Sequence, residues 1–342
     1  MIDNRPKMLV IDGSSVLTTC YYANLPMDLK LAKTEEEKEA LYSKILHASD
    51  GTYTNAILGF SKIMIRFLKE WKPDYIVAAF DKSRQTTFRK KMYTDYKGQR
   101  KPSPSPLKDQ MKLIQQILSE SNIPVLISDL YEADDLAGSV TEKYKKYMQI
   151  MLLTKDRDYL QLVDDSCNVK CMIMTEEPKA EQFRQDYGIP RPEEYCFRNV
   201  MEFTSARVKS EKGVLPENII DLKALEGDNS DNIPGVRGVS SAAVPLISHY
   251  GSVEKIYQAI KKDTSKKALK ELSGMWKEEL GINRSPVNAL IAGEHDAYLS
   301  KTLATIKRDI EIPDITAFPT KRLNADIYNA WITKLDIKSV SV

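Results

Sequence analysis

Acidic residues follow four apolar segments of the chain at the point where each segment ends. The segments and their acids are Met8–Ile11 with Asp12, Tyr75–Phe80 with Asp81, Pro124–Ser128 with Asp129, and Ile150–Thr154 with Asp156 and Asp158. If the segments are neighbouring strands of one sheet, the acids converge at its carboxyl edge, where open α/β sheets bind their ligands. Repulsion between converging carboxylates must then be relieved by protonation or by cations.

Two further groups of acids strengthen this pattern. Glu132, Asp134 and Asp135 open a helix whose apolar positions are spaced i, i+3, i+4 and i+7. Asp228 and Asp231 lie in a turn-rich segment. One or two acids suffice to cap a helix, so three of them beside several others indicate more than capping.

The chemistry that such a set of acids favours is metal-dependent hydrolysis. A site made only of oxygen ligands selects Mg²⁺ or Mn²⁺ over zinc or copper. Two such ions can activate a water molecule and stabilise the leaving oxygen when a phosphodiester is hydrolysed.

The elements that must position these acids are strands and helices in alternation. The four apolar segments are rich in Val, Ile and Leu without clean alternation, as expected for parallel strands covered on both faces. Helical patterns lie between them, over Tyr53–Trp71 and Leu107–Leu118. This order predicts an α/β fold: a central, mainly parallel sheet with helices on both faces.

A strongly basic segment lies between the second and third predicted strands. Residues 82–112 contain ten lysines and arginines against two aspartates, so the segment carries +8 and leaves −6 for the rest of a chain whose total is +2. Phe88, Tyr93 and Tyr96 are interleaved with these charges. Cations for phosphates and rings for bases are typical of nucleic-acid binding. Three prolines follow Lys101 closely, which predicts that any helix here ends near that residue.

Composition excludes several other classes of function. The 342 residues allow one large domain or two ordinary ones, and 42% apolar with 29% charged residues indicates a soluble globular chain. No apolar stretch is long enough to span a membrane, and the N-terminus lacks a signal-peptide pattern. The three histidines stand in no motif, which disfavours imidazole chemistry. Four cysteines without a CxxC pair indicate reduced thiols and a cytoplasmic location.

Taken together, the motifs resemble the 5′–3′ exonuclease and flap endonuclease family, and most closely the nuclease domain that begins bacterial DNA polymerase I. The resemblance runs from about residue 8 to about residue 315, and its matching stretches are Ile11-Asp12-Gly13, Phe80-Asp81, Phe88-Arg89, Tyr96-Lys97, Tyr131-Glu132-Ala133-Asp134-Asp135, Thr154-Lys155-Asp156-Arg157-Asp158 and Gly227–Val236. Each motif is weak alone. In this order and at these distances the combination is highly specific.

The resemblance implies which acids hold metal. The first metal group of the family is matched by Asp12, Asp81, Glu132, Asp134 and Asp135. The second is matched by Asp156, Asp158, Asp228 and Asp231. Asp129 has no metal role in the pattern and is expected to be a turn residue. Two Mg²⁺ ions are therefore expected, with Mn²⁺ as a possible substitute.

The basic segment corresponds to the helical arch of the family, which threads or clamps the 5′ end of a single strand. Lys97 and Arg100 match the lysine and arginine that act on the scissile phosphate, and Arg89 matches an arch base that helps to hold the substrate. The other expected DNA contacts of the arch are Lys90, Tyr93 and Tyr96.

The resemblance also implies a reaction and its partners. A two-metal mechanism hydrolyses phosphodiesters in DNA replication and repair and leaves a 5′-phosphate and a 3′-hydroxyl. The expected substrates are 5′ flaps, nicks, gaps and RNA primers, so the expected partners are branched or nicked duplex DNA and RNA–DNA hybrids, without a membrane. Because the chain ends at Val342, a stand-alone monomeric nuclease without a polymerase domain is expected.

The segment after the GDxSDNxPG motif departs from the helix–hairpin–helix of the family. Gly235, Arg237, Gly238 and Ser240 are expected to bind duplex phosphates, with a K⁺ ion as a candidate ligand. However, Ser240 stands where a glycine is usual, and the usual lysine and threonine are missing. Serine adopts a positive φ less readily than glycine, and the lost lysine removes one phosphate contact. Duplex binding is expected to persist, with Arg237 as the residue that compensates.

The expected domain organisation has two main parts. Residues 1–174 form the α/β nuclease core with the arch at about 82–112, and residues 203–342 form a helical DNA-binding region with the helix–hairpin–helix at about 228–260. Insertions at 27–50 and 175–202 are either loops for a partner or substrate or neutral elaborations of the surface.

Two other functions stay open on the sequence alone. One is a DNA-junction binding protein whose catalysis has decayed, and the other is a metal-dependent ribonuclease of the PIN type. Decay would be expected to remove some of the nine acids, yet all are present. The PIN class lacks both the arch bases and the GDxSDN segment, so the sequence favours the structure-specific nuclease.

Overall fold

A six-stranded sheet forms the centre of the fold in this computed structural model, which describes residues 3–83, 85–189 and 198–342 apart from the side chain of Ser240. The strands are β1 (Lys7–Asp12), β2 (Tyr75–Asp81), β3 (Val125–Ser128), β4 (Gln149–Thr154), β5 (Val169–Met174) and β6 (Val200–Phe203). Their order is β3-β2-β1-β4-β5-β6. β6 pairs antiparallel with β5, and the other four pairings are parallel. The predicted α/β fold with a mainly parallel sheet is confirmed.

The helices of the first half connect the strands or follow the sheet. They are α1 (Gly13–Ala23), α2 (Met27–Leu31), α3 (Glu35–Ala40), α4 (Asn55–Glu70), α5 (Phe88–Met92), α6 (Ser105–Glu120), α7 (Ala133–Tyr144) and α8 (Glu177–Asp186). Those of the second half are α9 (Ser205–Lys212), α10 (Ile219–Glu226), α11 (Ser240–Tyr250), α12 (Val253–Lys261), α13 (Lys266–Leu280), α14 (Val287–Ala292), α15 (Glu294–Ala304) and α16 (Ala325–Lys334). No helix among the described residues is long and apolar enough to cross a membrane.

The side chains of β1 alternate between two hydrophobic cores, one on each face of the sheet. Met8 and Val10 belong to the core that contains α7 and much of the C-terminal half, whereas Leu9 and Ile11 belong to the core that contains α1, α4 and α6. All four side chains are buried. Because both faces are covered, β1 is apolar throughout and its sequence shows no alternation.

The four predicted strands are present, and β5 and β6 are additional. β5 contains Lys170, Cys171 and two methionines, which are weak strand signals compared with valine and isoleucine. β6 has four residues and forms the edge of the sheet beside β5. Short strands of mixed composition are defined by their neighbours in the sheet, so their own sequence gives little warning of them.

The arch segment is less helical than expected. α5 ends at Met92, so the prediction that its helix ends near Lys101 is wrong. Lys97 has a φ of +52°, which a helix does not allow, and its backbone N–H donates to the carbonyl of Asp231 at 2.9 Å. Beyond Met92 the backbone is therefore held by turn hydrogen bonds within the segment and by this contact with the C-terminal half.

The C-terminal half begins as a bundle of helices, and its last helix packs against the helices that cover the sheet. α10 precedes the expected start of the helix–hairpin–helix at about 228, and a loop joins it to α11. After residue 316, α16 packs Tyr328 and Ile332 into the core beside α4 and α6. The Tyr328 hydroxyl lies 2.7 Å from Ser61 Oγ. This terminal helix therefore stabilises the nuclease core itself.

The two expected insertions contain regular structure. Residues 27–50 include α2 and α3, and α3 begins with a capping box between Thr34 and Glu37. Residues 175–202 include α8 and the start of β6. Part of this second segment, residues 190–197 with Cys196, lies outside the described residues. Cys20, Cys167 and Cys171 are free thiols.

Candidate metal centre

The ends of β1, β2 and β4 place three acids at one edge of the sheet. Asp12 ends β1, accepts a hydrogen bond from the Ser15 N–H at 3.0 Å and another from the Thr154 hydroxyl at 2.7 Å. Asp81 ends β2 and accepts a hydrogen bond from the N–H of Ala133 at 2.9 Å. Burial, helped by the charge of Asp81, raises the pKa of Asp12 to about 7. A carboxyl with this pKa gains from a nearby cation.

The N-terminus of α7 adds three more acids to the same edge. Oxygens of Glu132, Asp134 and Asp135 lie within 4.8 Å of one another, a spacing suited to holding one ion. Burial and the neighbouring Asp135 raise the pKa of Asp134 well above its usual range. Glu132 behaves in the opposite way, because Lys97 and Arg89 overcome the effect of burial and lower its pKa.

Arg89 is a buried partner of these acids, with 1% of its surface exposed. Its guanidinium donates to both oxygens of Asp135 and to Glu132, each at 2.7 Å. It also donates to the backbone carbonyls of Leu303 and Thr305 at 2.8 Å. The guanidinium therefore donates all of its N–H groups to acceptors of the protein. It is not exposed, so this structure offers no surface through which Arg89 could hold the substrate as expected. Its contacts indicate that it positions the carboxylates.

Asp135 is saturated by hydrogen bonds. Besides the two from Arg89, it accepts the N–H of Glu132 at 3.1 Å and the N–H of Lys307 at 2.8 Å. A carboxylate offers about four lone pairs, and here each is used. Asp135 therefore acts in this structure as the anchor of α7 and Arg89, and the oxygens left to bind an ion belong to its neighbours.

Lys97 and Tyr96 bring the arch onto the carboxylates. Lys97 Nζ lies 2.6 Å from Glu132 and 3.6 Å from Asp231. These carboxylates and the Tyr96 phenol raise the pKa of Lys97 well above its usual value, against the opposing effect of burial. The Tyr96 hydroxyl lies 3.1 Å from Glu132 and 3.2 Å from Asp231. The arch thus joins the first acid group to the second.

The remaining arch residues face the protein to different degrees. Arg100 forms an ion pair with Asp231. Lys90 is half-buried and donates to the carbonyl of Tyr96 at 3.2 Å. Tyr93 packs against the small cluster that contains Tyr96. Arg84 of the basic segment lies outside the described residues.

The second acid group surrounds a lysine that sequence reasoning missed. Lys223 of α10 forms ion pairs with Asp158 and with Asp228, the latter at 2.6 Å. Although burial alone would raise it, the pKa of Asp228 falls to about 2 because of Lys223. Burial and Asp158 raise the pKa of Asp156 to about 7. The available signal for Lys223 was that it is the single basic residue of α10, four residues before the GDxSDN segment.

A buried phenol completes the inner wall of the site. Tyr159 is fully buried, and its hydroxyl has no hydrogen-bond partner among the described residues. Burial raises its pKa, and the carboxylates of Asp12 and Asp134 add to this effect. Nothing in the sequence distinguishes this residue, which directly follows the acidic motif Thr154–Asp158, from the other tyrosines of the chain.

The loop between α10 and α11 carries the residues expected at the hairpin. Gly235 has a φ of +63°, and an added Cβ would lie 2.3 Å from the backbone nitrogen of Gly227, so only glycine fits there. Gly238 has a φ of +89° with open space around it. Arg237 is exposed, and Ser240 begins α11. The loop thus exposes backbone and one cation to solvent.

The donor set of the site suits a hard divalent cation. Its candidate ligands are carboxylate oxygens, and no histidine or cysteine joins the cluster found among the described residues. Asp12 and Asp156 have pKa values near 7 that an adjacent cation would lower. Asp129, by contrast, lies on the surface in an ion pair with Lys82, in keeping with a turn residue. Among the described residues, the acids whose oxygens come close enough to share one ion are Glu132, Asp134 and Asp135.

Comparison with known proteins identifies the class of this fold and site. Residues 7–188 match the family model for the N-terminal resolvase-like domain of 5′–3′ exonucleases, and residues 214–326 match the model for their C-terminal SAM fold. The chain belongs to the 5′–3′ exonuclease family, and the resemblance seen in the sequence is confirmed.

Individual relatives agree with this assignment. The chain is 33% identical over 337 residues to DNA polymerase I of Caldicellulosiruptor bescii, an alignment that covers 98% of this chain and 33% of that protein. It is 31% identical over 316 residues to a 5′–3′ exonuclease of Aquifex aeolicus, covering 92% and 90% of the two chains. The chain thus spans about a third of the DNA polymerase I relatives that it matches.

Solved structures share the fold. The T5 D15 protein co-crystallised with metal ions superposes with a TM-score of 0.57 at 16% identity, covering 97% of this chain and 98% of that one. The catalytic core of Rad2 in complex with a DNA substrate superposes with a TM-score of 0.53 at 14% identity, covering 97% and 88%. At these identities the likeness concerns the fold alone.

Proposed function

We propose that this chain is a structure-specific 5′ nuclease that hydrolyses phosphodiesters in DNA and leaves a 5′-phosphate and a 3′-hydroxyl. The observation that carries the proposal is the meeting of both acid groups beneath the arch, where Lys97 contacts Glu132 of one group and Asp231 of the other. Because the chain belongs to the 5′–3′ exonuclease family, we interpret this arrangement as a site for phosphodiester hydrolysis. The junction-binding and PIN ribonuclease alternatives gain no comparable observation.

The acids would hold two Mg²⁺ ions, with Mn²⁺ as a substitute. Asp12, Asp81, Glu132 and Asp134 provide free or partly free oxygens for the first ion. Asp156, Asp158, Asp228 and Asp231 provide those for the second. The ions would supply a stronger water nucleophile and neutralise charge on the leaving oxygen. Asp135 contributes by holding α7 and Arg89 in place, as its four hydrogen bonds indicate.

Lys97 and Arg100 are proposed to bind the scissile phosphate. Both are cationic groups above the acids, and Lys97 keeps its proton because the surrounding carboxylates raise its pKa. A lysine held in this way is a hydrogen-bond donor and a positive charge for the non-bridging phosphate oxygens. To reach these phosphate oxygens, Lys97 must leave Glu132. Another cation must then balance the charge of the Glu132 carboxylate.

The substrates are proposed to be 5′ flaps, nicks and gaps in DNA, and RNA primers on DNA, met during replication and repair. The single-stranded end would lie under the arch, and the duplex would lie on the loop at Arg237 and Gly238, which are exposed and suit phosphates. Gly235 would shape this loop, since its buried N–H donates to the Ser300 hydroxyl at 2.9 Å. We also propose that this loop binds a K⁺ ion and that the protein acts as a monomer. We further propose that residues 1–174 form the nuclease core and that residues 203–342 form the DNA-binding region.

The cellular setting proposed for this activity is the cytoplasm. The three cysteines in the described part of the chain are free thiols, as is usual for proteins of reducing compartments.

The test is cleavage of a 5′-labelled flap duplex with Mg²⁺ and with EDTA. Asp81→Ala, Asp156→Ala and Lys97→Ala are each expected to lower the rate by at least about a hundredfold, because each removes charge beside the reacting phosphate. Asp129→Ala is the matched control, since this acid follows a strand as they do but pairs on the surface with Lys82. An active Asp81→Ala enzyme would refute the metal assignment. Binding without cleavage by the unaltered chain would favour the junction-binding protein, and preference for single-stranded RNA would favour the ribonuclease.

A further inference from the structure

The outer edge of β3 has unpaired backbone groups. β3 is the last strand of the sheet on its side, and the N–H of Ala78 in β2 donates to the carbonyl of Pro124. Since backbone groups alternate sides along a strand, residues 124, 126 and 128 face β2, and Val125 and Ile127 point their N–H and C=O groups outward. Those outward groups make no backbone hydrogen bond with any described residue.

A groove of about 580 Å³ lies beside this edge. β3 forms one wall, and the extended segment Asp309–Pro313 forms the other, which is fixed by a hydrogen bond from the Ile310 N–H to Ser139 Oγ at 3.2 Å. The groove is walled by apolar side chains of both segments, and 42% of the surface of Ile127 is exposed. A strand edge with an apolar neighbour and no charged side chain of its own is open to pairing.

The rim of the groove is acidic. Asp309 and Glu311 are both exposed, and they are the charged residues that line it. Asp309 has a loose ion pair with Lys307 at 3.7 Å, whereas Glu311 has no ion-pair partner among the described residues. The groove therefore combines outward backbone groups, apolar walls and two carboxylates, of which that of Glu311 has no ion-pair partner among the described residues.

We propose that this groove binds an extended peptide segment of a partner protein, one that alternates apolar and basic residues and adds a strand to the edge of β3. The outward groups of Val125 and Ile127 can form up to four backbone hydrogen bonds with such a segment. Its apolar side chains meet the walls, and its lysines or arginines meet Asp309 and Glu311. The groove is distinct from the metal centre, so this interaction goes beyond the proposed nuclease activity.

The charge of the groove argues for a basic peptide over a second copy of this chain. Two copies paired edge to edge through β3 would bring both acidic rims together, and like charges at an interface oppose association. The volume also suits a short segment, since about four or five residues fill a space of this size when extended. Self-association is accordingly an outcome that would contradict the proposal.

The experiment uses the full chain and a fluorescent six-residue peptide in which lysine alternates with valine or isoleucine. Fluorescence anisotropy is expected to show saturable binding below about 1 mM. Replacing the lysines of the peptide with glutamate, or methylating alternate backbone nitrogens, is expected to weaken binding at least about tenfold. Hydrogen exchange of the amides of Val125 and Ile127 is expected to slow when the peptide binds, because each N–H then has a partner.

Variants of the chain supply the matched comparison. Glu311→Lys is expected to weaken the peptide at least about tenfold, whereas Glu279→Lys, the same charge change on exposed α13, is expected to leave it unchanged. Ile127→Pro removes one outward donor at a position where an edge strand tolerates proline, and it is expected to weaken binding similarly. Flap cleavage should be unaffected by Glu311→Lys.

Several results would each overturn the proposal. They are no saturable binding below about 1 mM, equal binding by the Glu311→Lys and Glu279→Lys chains, and amide protection away from β3. A concentration-dependent dimer in sedimentation that Ile127→Pro abolishes would assign the edge to a second copy instead. If Ile127→Pro fails to fold, Glu311→Lys and the methylated peptide still decide the question.

Discussion

Replacing Arg89 with methionine tests whether this arginine acts on the substrate or on the protein. The change keeps an unbranched apolar side chain of similar length and removes the guanidinium. Five hydrogen bonds are lost: three to the carboxylates of Glu132 and Asp135, and two to the carbonyls of Leu303 and Thr305. Both carboxylates stay buried: Asp135 loses the cation that pairs with it, and Glu132 keeps Lys97 alone.

The expected cost to stability is large. Removing one partner of a buried ion pair costs about 3–5 kcal/mol, because an uncompensated charge stays behind. The loss depends on pH. Burial raises the pKa of Glu132, and without Arg89 only one of its two cations, Lys97, opposes this effect, so the pKa of Glu132 rises and the native state is penalised where this carboxyl is ionised. The loss should therefore be full at pH 8 and smaller near pH 5.

The assay is urea unfolding followed by circular dichroism at both pH values, with EDTA present. Lys91→Met is the matched control, since it removes a neighbouring exposed cation of the same helix and should change stability by less than about 0.5 kcal/mol. If Arg89→Met costs less than about 1 kcal/mol and yet abolishes flap binding, the positioning role is refuted and direct contact with DNA is supported.

Other predictions follow from the same contacts. Because the pKa values of Asp12 and Asp156 stand near 7, Mg²⁺ must displace their protons, so its affinity by calorimetry should rise from pH 6 to pH 8; a pH-independent affinity would contradict this. Lys223→Met leaves Asp158 and Asp228 without their cation and should lower the free energy of unfolding by about 2 kcal/mol in EDTA, and by less in saturating Mg²⁺. An equal loss in both conditions would place Lys223 outside the metal site. Gly235→Ala should cost more than about 2 kcal/mol in thermal unfolding, because its Cβ would strike Gly227, whereas Gly238→Ala, in open space, should cost about 1 kcal/mol; equal costs would contradict the clash. Lys91→Glu should weaken flap binding and flatten its salt dependence, and unchanged binding would remove this face of the arch from the DNA path.

The sequence was sufficient for four of the six strands and for the edge of the sheet that carries the acids. Buried parallel strands are continuous apolar runs, and each ends where an acid follows, so topology alone brings Asp12, Asp81 and Asp156 together. The family was equally accessible, because its acidic motifs retain their order and spacing. These features depend on local pattern and on general rules of strand connection.

The partners of the acids were less accessible because they come from distant parts of the chain. Arg89 contacts the carbonyl of Leu303, and Lys223 contacts Asp158. A basic residue in a basic segment predicts contact with DNA, and nothing local distinguishes one that is buried from its exposed neighbours. Tyr159 was missed for the same reason, since burial of its hydroxyl depends on how the strands and helices close over it.

The charge of the arch has a different meaning once these partners are known. The segment carries +8 in sequence, but Arg89 is enclosed by protein, so at most +7 faces the solvent or the site. Lys97 and Arg100 are paired with Glu132 and Asp231, and they can bind a phosphate only when those carboxylates are balanced by another cation. Electrostatics therefore couples the two halves of the proposed reaction. When divalent ions neutralise the acids, Lys97 and Arg100 become available to the phosphates of the single strand. The affinity of the site for its substrate should therefore depend on divalent ions, in addition to the role of these ions in hydrolysis.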